Sequence, residues 1–158
     1  MRARLRRAPC LALCVALAAG IAGCATAYAP QRLEVSSDVP GVQSKTVAVV
    51  TVSGSILADE PARRHFGTDL GRHGLQAQWI GVHNGSERRL WFIRSVLDPD
   101  FDSAEEAALL VEGDVPRSAR PQLHQDFRDE SIRSLLAPRT VTEGFVFLPR
   151  VEGGRYVD

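Results

Sequence analysis

Two apolar runs meeting at an Asn-Gly pair set the tightest limit on how this chain can fold. Leu75 to His83 and Arg89 to Leu97 both read as strands, with Asn84-Gly85-Ser86-Glu87 between them. Asn-Gly between apolar runs is a strong hairpin signal, because both residues accept positive φ. A two-residue turn sets Trp79 opposite Leu90 and Ala77 opposite Phe92; a four-residue loop shifts that register, and the residues allow either. Trp91 and Ile93 fall on the other face from Leu90 and Phe92. A ribbon apolar on both faces is expected at the centre of a domain, with something packed on each side.

The flanking segments extend the pattern. Lys45 to Val52 is rich in β-branched residues and reads as one strand stopped by Ser53-Gly54. Ala58 to Phe66 suits a short helix with Pro61 in its first turn, broken by Gly67 and Gly71. Ser103 and Glu106 form a capping-box pattern ahead of Ala107, Leu110 and Val111. Leu123, Phe127, Ile132, Leu135 and Leu136 recur at helical spacing and predict a helix from about Pro121 to Leu136, ended by Pro138. Thr140 to Leu148 returns to strand. Tyr156-Val157-Asp158 reads as the opening of another strand, and a strand so begun leaves a sheet edge open. The expectation is a β-rich sandwich over residues 46–158, with two short helices between strands, that continues past Asp158 in a longer protein.

The first residues carry an address. Arg2, Arg4, Arg6 and Arg7 precede the apolar run Leu11 to Ile21, which is shorter than the roughly 20 residues a membrane-spanning helix needs. This reads as a secretory signal over residues 1–23. Ile21-Ala22-Gly23-Cys24 resembles the lipobox of bacterial lipoproteins, in which cleavage falls between Gly23 and Cys24 and the Cys24 thiol carries diacylglyceryl. In such lipoproteins an Asp after the cysteine favours the inner membrane; Ala25 stands there, so the resemblance implies the outer membrane, facing the periplasm. Several acyl chains at about 0.8 kcal/mol per buried methylene make a stable anchor. Residues 24–45 are then the lipidated cysteine and its tether.

Removing the signal leaves 135 residues, enough for one domain with its own core. The whole chain balances 19 basic against 19 acidic residues; the signal takes four arginines and no acid, leaving 15 against 19. That balance argues against nucleic acid as a partner, which calls for a concentrated basic patch. Cys10 and Cys14 leave with the signal and lipid consumes Cys24, so the domain must be stable without a disulfide.

A wider resemblance appears in several segments together. Phe66-Gly67 with Asp69-Leu70, Trp79, Asn84 with Ser86, Leu97-Asp98-Pro99, and Gly144-Phe145-Val146-Phe147 resemble a group of uncharacterised bacterial envelope lipoproteins. The Val82-His83-Asn84-Gly85-Ser86 strand end is also similar to immunoglobulin-like domains on bacterial surfaces. The resemblance implies a mainly β, immunoglobulin-like sandwich and an envelope location, and brings no catalytic residues.

Asp98, Asp100 and Asp102 alternate as calcium ligands do, but an EF-hand would want Gly and an acid where Ser103 and Leu109 stand. A looser calcium site on these carboxylates is the alternative to a proline turn leading into a helix N-terminus, and the turn is preferred. His65, His73, His83 and His124 lack two-ligand zinc spacing, although His65 and His73 flank one glycine-rich turn. Ser53 and Ser55 lack a nucleophile-elbow context and read as a turn. Asn84-Gly85-Ser86 matches a glycosylation acceptor and is read as turn chemistry. Arg63, Arg64, Arg72, Arg88 and Arg89 are expected on a mixed solvated face. Trp79 and Trp91 suit either a ligand groove or the core, and core packing is preferred. No catalytic constellation, cofactor or metal is expected. The sequence therefore points to a binding or scaffolding lipoprotein with an envelope protein partner; the alternative is an accessory domain of a longer envelope enzyme or membrane-associated protein.

Overall fold

The computed structural model describes residues 27–33, 40–97 and 100–150. Four antiparallel strands, β1 (Gln43–Val47), β2 (Val50–Ile56), β3 (Leu75–Asn84) and β6 (Thr140–Pro149), form one sheet in the order β1-β2-β3-β6. A two-stranded ribbon, β4 (Leu90–Trp91) with β5 (Leu135–Leu136), forms separately. The helices are α1 (Asp59–Phe66), the single turn α2 (Arg94–Leu97), α3 (Ala104–Val111) and α4 (Arg120–Glu130). The result is a small mixed α/β domain.

Alternation along β3 and β6 divides the interior into two cores. Leu75, Ala77, Trp79, Phe145 and Phe147 point to one face, where they meet Phe66 of α1, Ala107 and Val111 of α3, and Leu123 and Phe127 of α4. Phe66, Phe127, Phe145 and Phe147 lie with ring centroids 5.0 to 5.3 Å apart. That spacing favours edge and offset aromatic contacts. Ile80, Val82, Val146 and Leu148 point to the other face and pack on Ile132, Leu136, Leu90 and Phe92. Helices thus cover the face where a sandwich would place a second full sheet, and the other face carries the short β4–β5 ribbon together with Phe92, Phe101 and Ile132.

The expected hairpin across Asn84-Gly85 does not form. The partners of β3 are β2 and β6; Trp79 stands opposite Ser55 and Phe145, and Leu90 opposite Leu136. Two residues override the turn signal. Asn84 is fully buried, with its amide donating to the carbonyls of Arg88 (2.8 Å), Ala137 (3.0 Å) and Leu136 (3.3 Å). Its Oδ1 accepts from the Ser86 N–H (3.1 Å) and hydroxyl (2.7 Å). Gly85 is required for approach rather than for φ: its N–H donates to Val49 O at 2.9 Å, and a Cβ would collide with that oxygen. The chain therefore leaves the sheet and crosses to the second face. The expected central position holds for β3, which is flanked by strands and mostly buried, but not for the second run. Trp91 and Ile93 there are 70% and 57% exposed.

Three other boundaries differ. Lys45 to Val52 is not one strand but the middle of a hairpin, turned at Ala48-Val49 with Ala48 at φ 53°. The strand after the turn runs on through Ser53-Gly54 to Ile56, so Ser53 and Ser55 sit in a ladder rather than a turn. The helix expected to Leu136 stops at Glu130, because Ile132 donates to Phe145 O (3.1 Å) and Leu135-Leu136 pair with β4. Gly144 permits that pass: a Cβ there would lie 2.5 Å from Ile132 N. The helix at Asp59–Phe66 and the Ser103–Glu106 capping box form as expected, and Thr140–Pro149 matches its predicted strand to within a residue. The strand expected at Tyr156 to Asp158 lies outside the described residues.

Within the segment expected as a tether, residues 24–45, Ala27–Leu33 is docked on the domain. The Tyr28 hydroxyl donates to Asp126 (2.9 Å), Gln31 N–H to Arg64 O (2.7 Å), and Leu33 N–H to His65 Nδ1 (3.0 Å). Tyr28 and Leu33 pack against the helix-side core, and Gly67 at φ +66° leaves room for the Tyr28 ring.

Candidate functional site

The sheet face opposite α1, α3 and α4 carries an open apolar groove of about 520 Å³. The β2–β3 ladder sets its floor, since Val52 pairs with Val82 and both side chains share that face. Leu90, Trp91, Phe92 and Ile93 wall one side, with Leu136 from β5 behind them. The chain crossing at Asn84 is what brings the Leu90–Ile93 wall over the sheet. Val52 in the floor is 43% exposed, as is Leu135, the ladder partner of Trp91. Scattered exposed apolar residues are ordinary, whereas a contiguous patch marks a surface for contact. The groove offers apolar surface and an indole face, and none of its lining side chains is an acid, base or nucleophile.

On the helix side the polar groups hold one another. His65, 3% exposed, accepts from Leu33 N–H at Nδ1, so Nε2 carries the proton that reaches Glu130 Oε2 at 3.0 Å. This hydrogen bond holds the Glu130 carboxyl below its usual range, against the opposing effect of burial. Arg32 Nε lies 3.1 Å from the same carboxylate. Burial first, and then the Asp126 hydrogen bond, push the Tyr28 phenol up. His73 meets Asp114 at 2.9 Å, and His124 meets Glu112 at 3.0 Å beside Arg120. Glu112 is lowered chiefly by its His124 bond.

These pairs decide several sequence-level candidates. His65 and His73 do not converge on a zinc site; each has its own carboxylate, and His83 is exposed on β3. Among the described residues no group of three or more His, Cys, Asp or Glu gathers as a metal site. Asp98 lies outside the described residues. Asp102 bridges β6 through its N–H to Phe147 O (2.9 Å), and its carboxyl is raised by burial and then by Glu106. Ser53 pairs with Ser44 (2.7 Å), and Ser55 donates to Pro40 O (2.6 Å). Asn84 is sealed inside the fold and unavailable as a glycan acceptor. Trp79 is core, as preferred, at 7% exposure; Trp91 is not. Arg63 is paired with Glu60 on an exposed face. Gly23 and Cys24 lie outside the described residues.

The sequence offers a groove at Trp91 but favours the core, because Trp91 sits in a run that reads as a buried strand. The histidine pairs are not legible in it, because the partners of His65 and His73 are 65 and 41 positions away. Among the described residues no helix is long and apolar enough to cross a membrane. No family model, curated protein or solved structure matches this chain.

Proposed function

We propose that this chain is a lipid-anchored lipoprotein of the outer membrane, facing the periplasm, and that it works as a binding or scaffolding module rather than an enzyme. An apolar segment of an envelope protein is the partner assigned to the groove. The observation that carries this reading is the indole of Trp91, 70% exposed at the rim of an apolar groove. Large aromatics at the centre of an interface commonly supply 2 kcal/mol or more of binding, an order-of-magnitude figure. Small-molecule pockets enclose about 70–90% of their ligand, which a groove this open does not do. A macromolecular segment, able to bring its own second wall, fits better. The anchor reading stands on Arg2 to Arg7, the short apolar run and the Ile21-to-Cys24 lipobox.

Two experiments test it. A photo-crosslinking amino acid at Ile93 in intact cells is expected to give a discrete adduct that Trp91→Asp removes, while the same probe at exposed Leu109 on α3 gives none. Equal labelling from both positions, or an adduct indifferent to Trp91→Asp, would overturn the groove. For the anchor, Cys24→Ser is expected to release the protein from membranes; undiminished sedimentation with them sinks that reading.

A further inference from the structure

The docked segment Ala27–Leu33 does more than close the helix-side core. It fixes where the chain meets its anchor. Tyr28, Gln31, Arg32 and Leu33 each hold α1 or α4 through a side chain or backbone N–H. Only three residue steps separate Cys24 from Ala27, and an extended chain covers about 11 Å in that distance. A lipid on Cys24 would therefore hold the surface around Ala27 within about 11 Å of the bilayer, too short a reach for the domain to swing freely.

That surface has a matching chemistry. Ala27, Ala29 and Gln31 share an open hollow of about 320 Å³ with Arg63, Arg64 and Gly67. Arg64 and Arg63, the latter also paired with exposed Glu60 at 2.7 Å, occupy the last turn of α1 and are exposed beside Ala27 and Ala29. Guanidinium groups bind phosphate oxygens through a planar fork of donors. Each basic side chain held near an anionic leaflet contributes about 1 kcal/mol.

Resting on the reading of Cys24 as the lipidated residue, we infer that the α1 end bearing Arg63 and Arg64, with Ala27–Gln31, is a membrane-contact surface for lipid headgroup phosphates. The domain is then held at one attitude. Its groove, on the opposite face of the sheet, is turned away from the anchoring membrane. The partner would have to approach from the periplasmic side.

The test uses the full lipidated protein in vesicles of equal parts phosphatidylethanolamine and phosphatidylglycerol, with pure phosphatidylcholine as the neutral comparison. A fluorophore is attached through Gln31→Cys or, at the far hairpin, Val47→Cys; both positions are exposed. Headgroup-labelled lipid is expected to quench the Gln31 probe several-fold more than the Val47 probe. Paired Arg63→Glu and Arg64→Glu substitutions, or a flexible Gly-Ser insert after Ala25, are expected to shrink that difference to near parity with the protein still bound. Equal quenching of both probes in a membrane-bound protein overturns the contact surface and leaves the anchor standing. A difference unaffected by the arginine changes, or equally large on phosphatidylcholine, overturns the phosphate partner. A protein that fails to float with vesicles and lacks the lipid mass refutes the Cys24 reading itself.

Discussion

Replacing Asn84 by Asp changes one atom type in a fully buried side chain, and the structure gives the expected cost. The Asn84 amide supplies donors to three carbonyls at 2.8, 3.0 and 3.3 Å, while Oδ1 accepts two bonds from Ser86. Asp keeps the Ser86 bonds and turns the donors into a second acceptor facing those carbonyls. Leaving a buried polar group unmet costs roughly 1–3 kcal/mol, and burying an uncompensated charge raises the total to about 3–5 kcal/mol. The carboxyl has one escape, which is to keep its proton and donate it to a carbonyl. Its folded pKa is then raised above the unfolded value of about 3.9. The sign follows directly: the folded state holds a proton that the unfolded state sheds. Stability relative to wild type should therefore fall by up to about 1.4 kcal/mol per pH unit above about pH 4, until the folded carboxyl ionises. Asn84→Ala loses the same donors without a titrating group, so its deficit should not follow that slope. Urea denaturation of all three proteins at about pH 5 and about pH 7 separates the cases. An Asp variant within about 0.5 kcal/mol of wild type, or one whose deficit matches Ala at both pH values, would refute the role given to Asn84.

Three further outcomes are expected. Gly144→Ala puts a methyl 2.5 Å from Ile132 N and 2.6 Å from its Cα, so it should lower stability by about 3 kcal/mol or more in chemical denaturation. Ala48→Gly relieves a left-handed residue in the β1–β2 turn, and a gain of about 1 kcal/mol is expected, read as a rise in the denaturation midpoint. Glu130, lowered mainly by the His65 hydrogen bond, contributes stability that is complete above its unfolded pKa of about 4.3 and drains as pH falls through the lower folded value. Glu130→Gln should accordingly be less sensitive than wild type to acidification across that window, and an unchanged acid slope would count against the pair.

What the sequence disclosed and what it hid follow one physical line. Local chemistry was readable: the Ser103–Glu106 box, Pro61 in the first turn of α1 and the β-branched run of β6 all do what their residues favour alone. Non-local competition was not. Asn-Gly is a turn signal only until a buried carbonyl trio claims the Asn side chain. The periodicity of Leu123 to Leu136 is helical, yet residues after Glu130 gain more by bonding Phe145 and pairing with β4. Val47-Ala48-Val49-Val50 contains no residue that favours a turn, and the chain turns there because β2 has β3 to pair with. At the candidate groove, its floor in β2 and β3 was legible as strand, while the exposure of Trp91 depended on where the crossing chain came to lie.

The place of β6 in the sheet has a consequence for the order in which the molecule assembles. β3 ends at Asn84, and its long partner begins at Thr140, so a chain emerging amino end first must hold one edge of β3 unpaired while more than fifty residues follow. Phe145 and Phe147 arrive only with β6, and the phenylalanine cluster that gathers three helices has no centre before then. Pairing over such separation is slow to nucleate, since loop closure precedes any contact that rewards it. Amide protection of β3 in pulsed hydrogen exchange should therefore rise together with that of β6; protection appearing well before it would show that the first three strands stand without their last neighbour. Until that moment the open edge of β3 is exposed to pairing with strands of other chains, which makes prompt arrival of β6 a safeguard against aggregation.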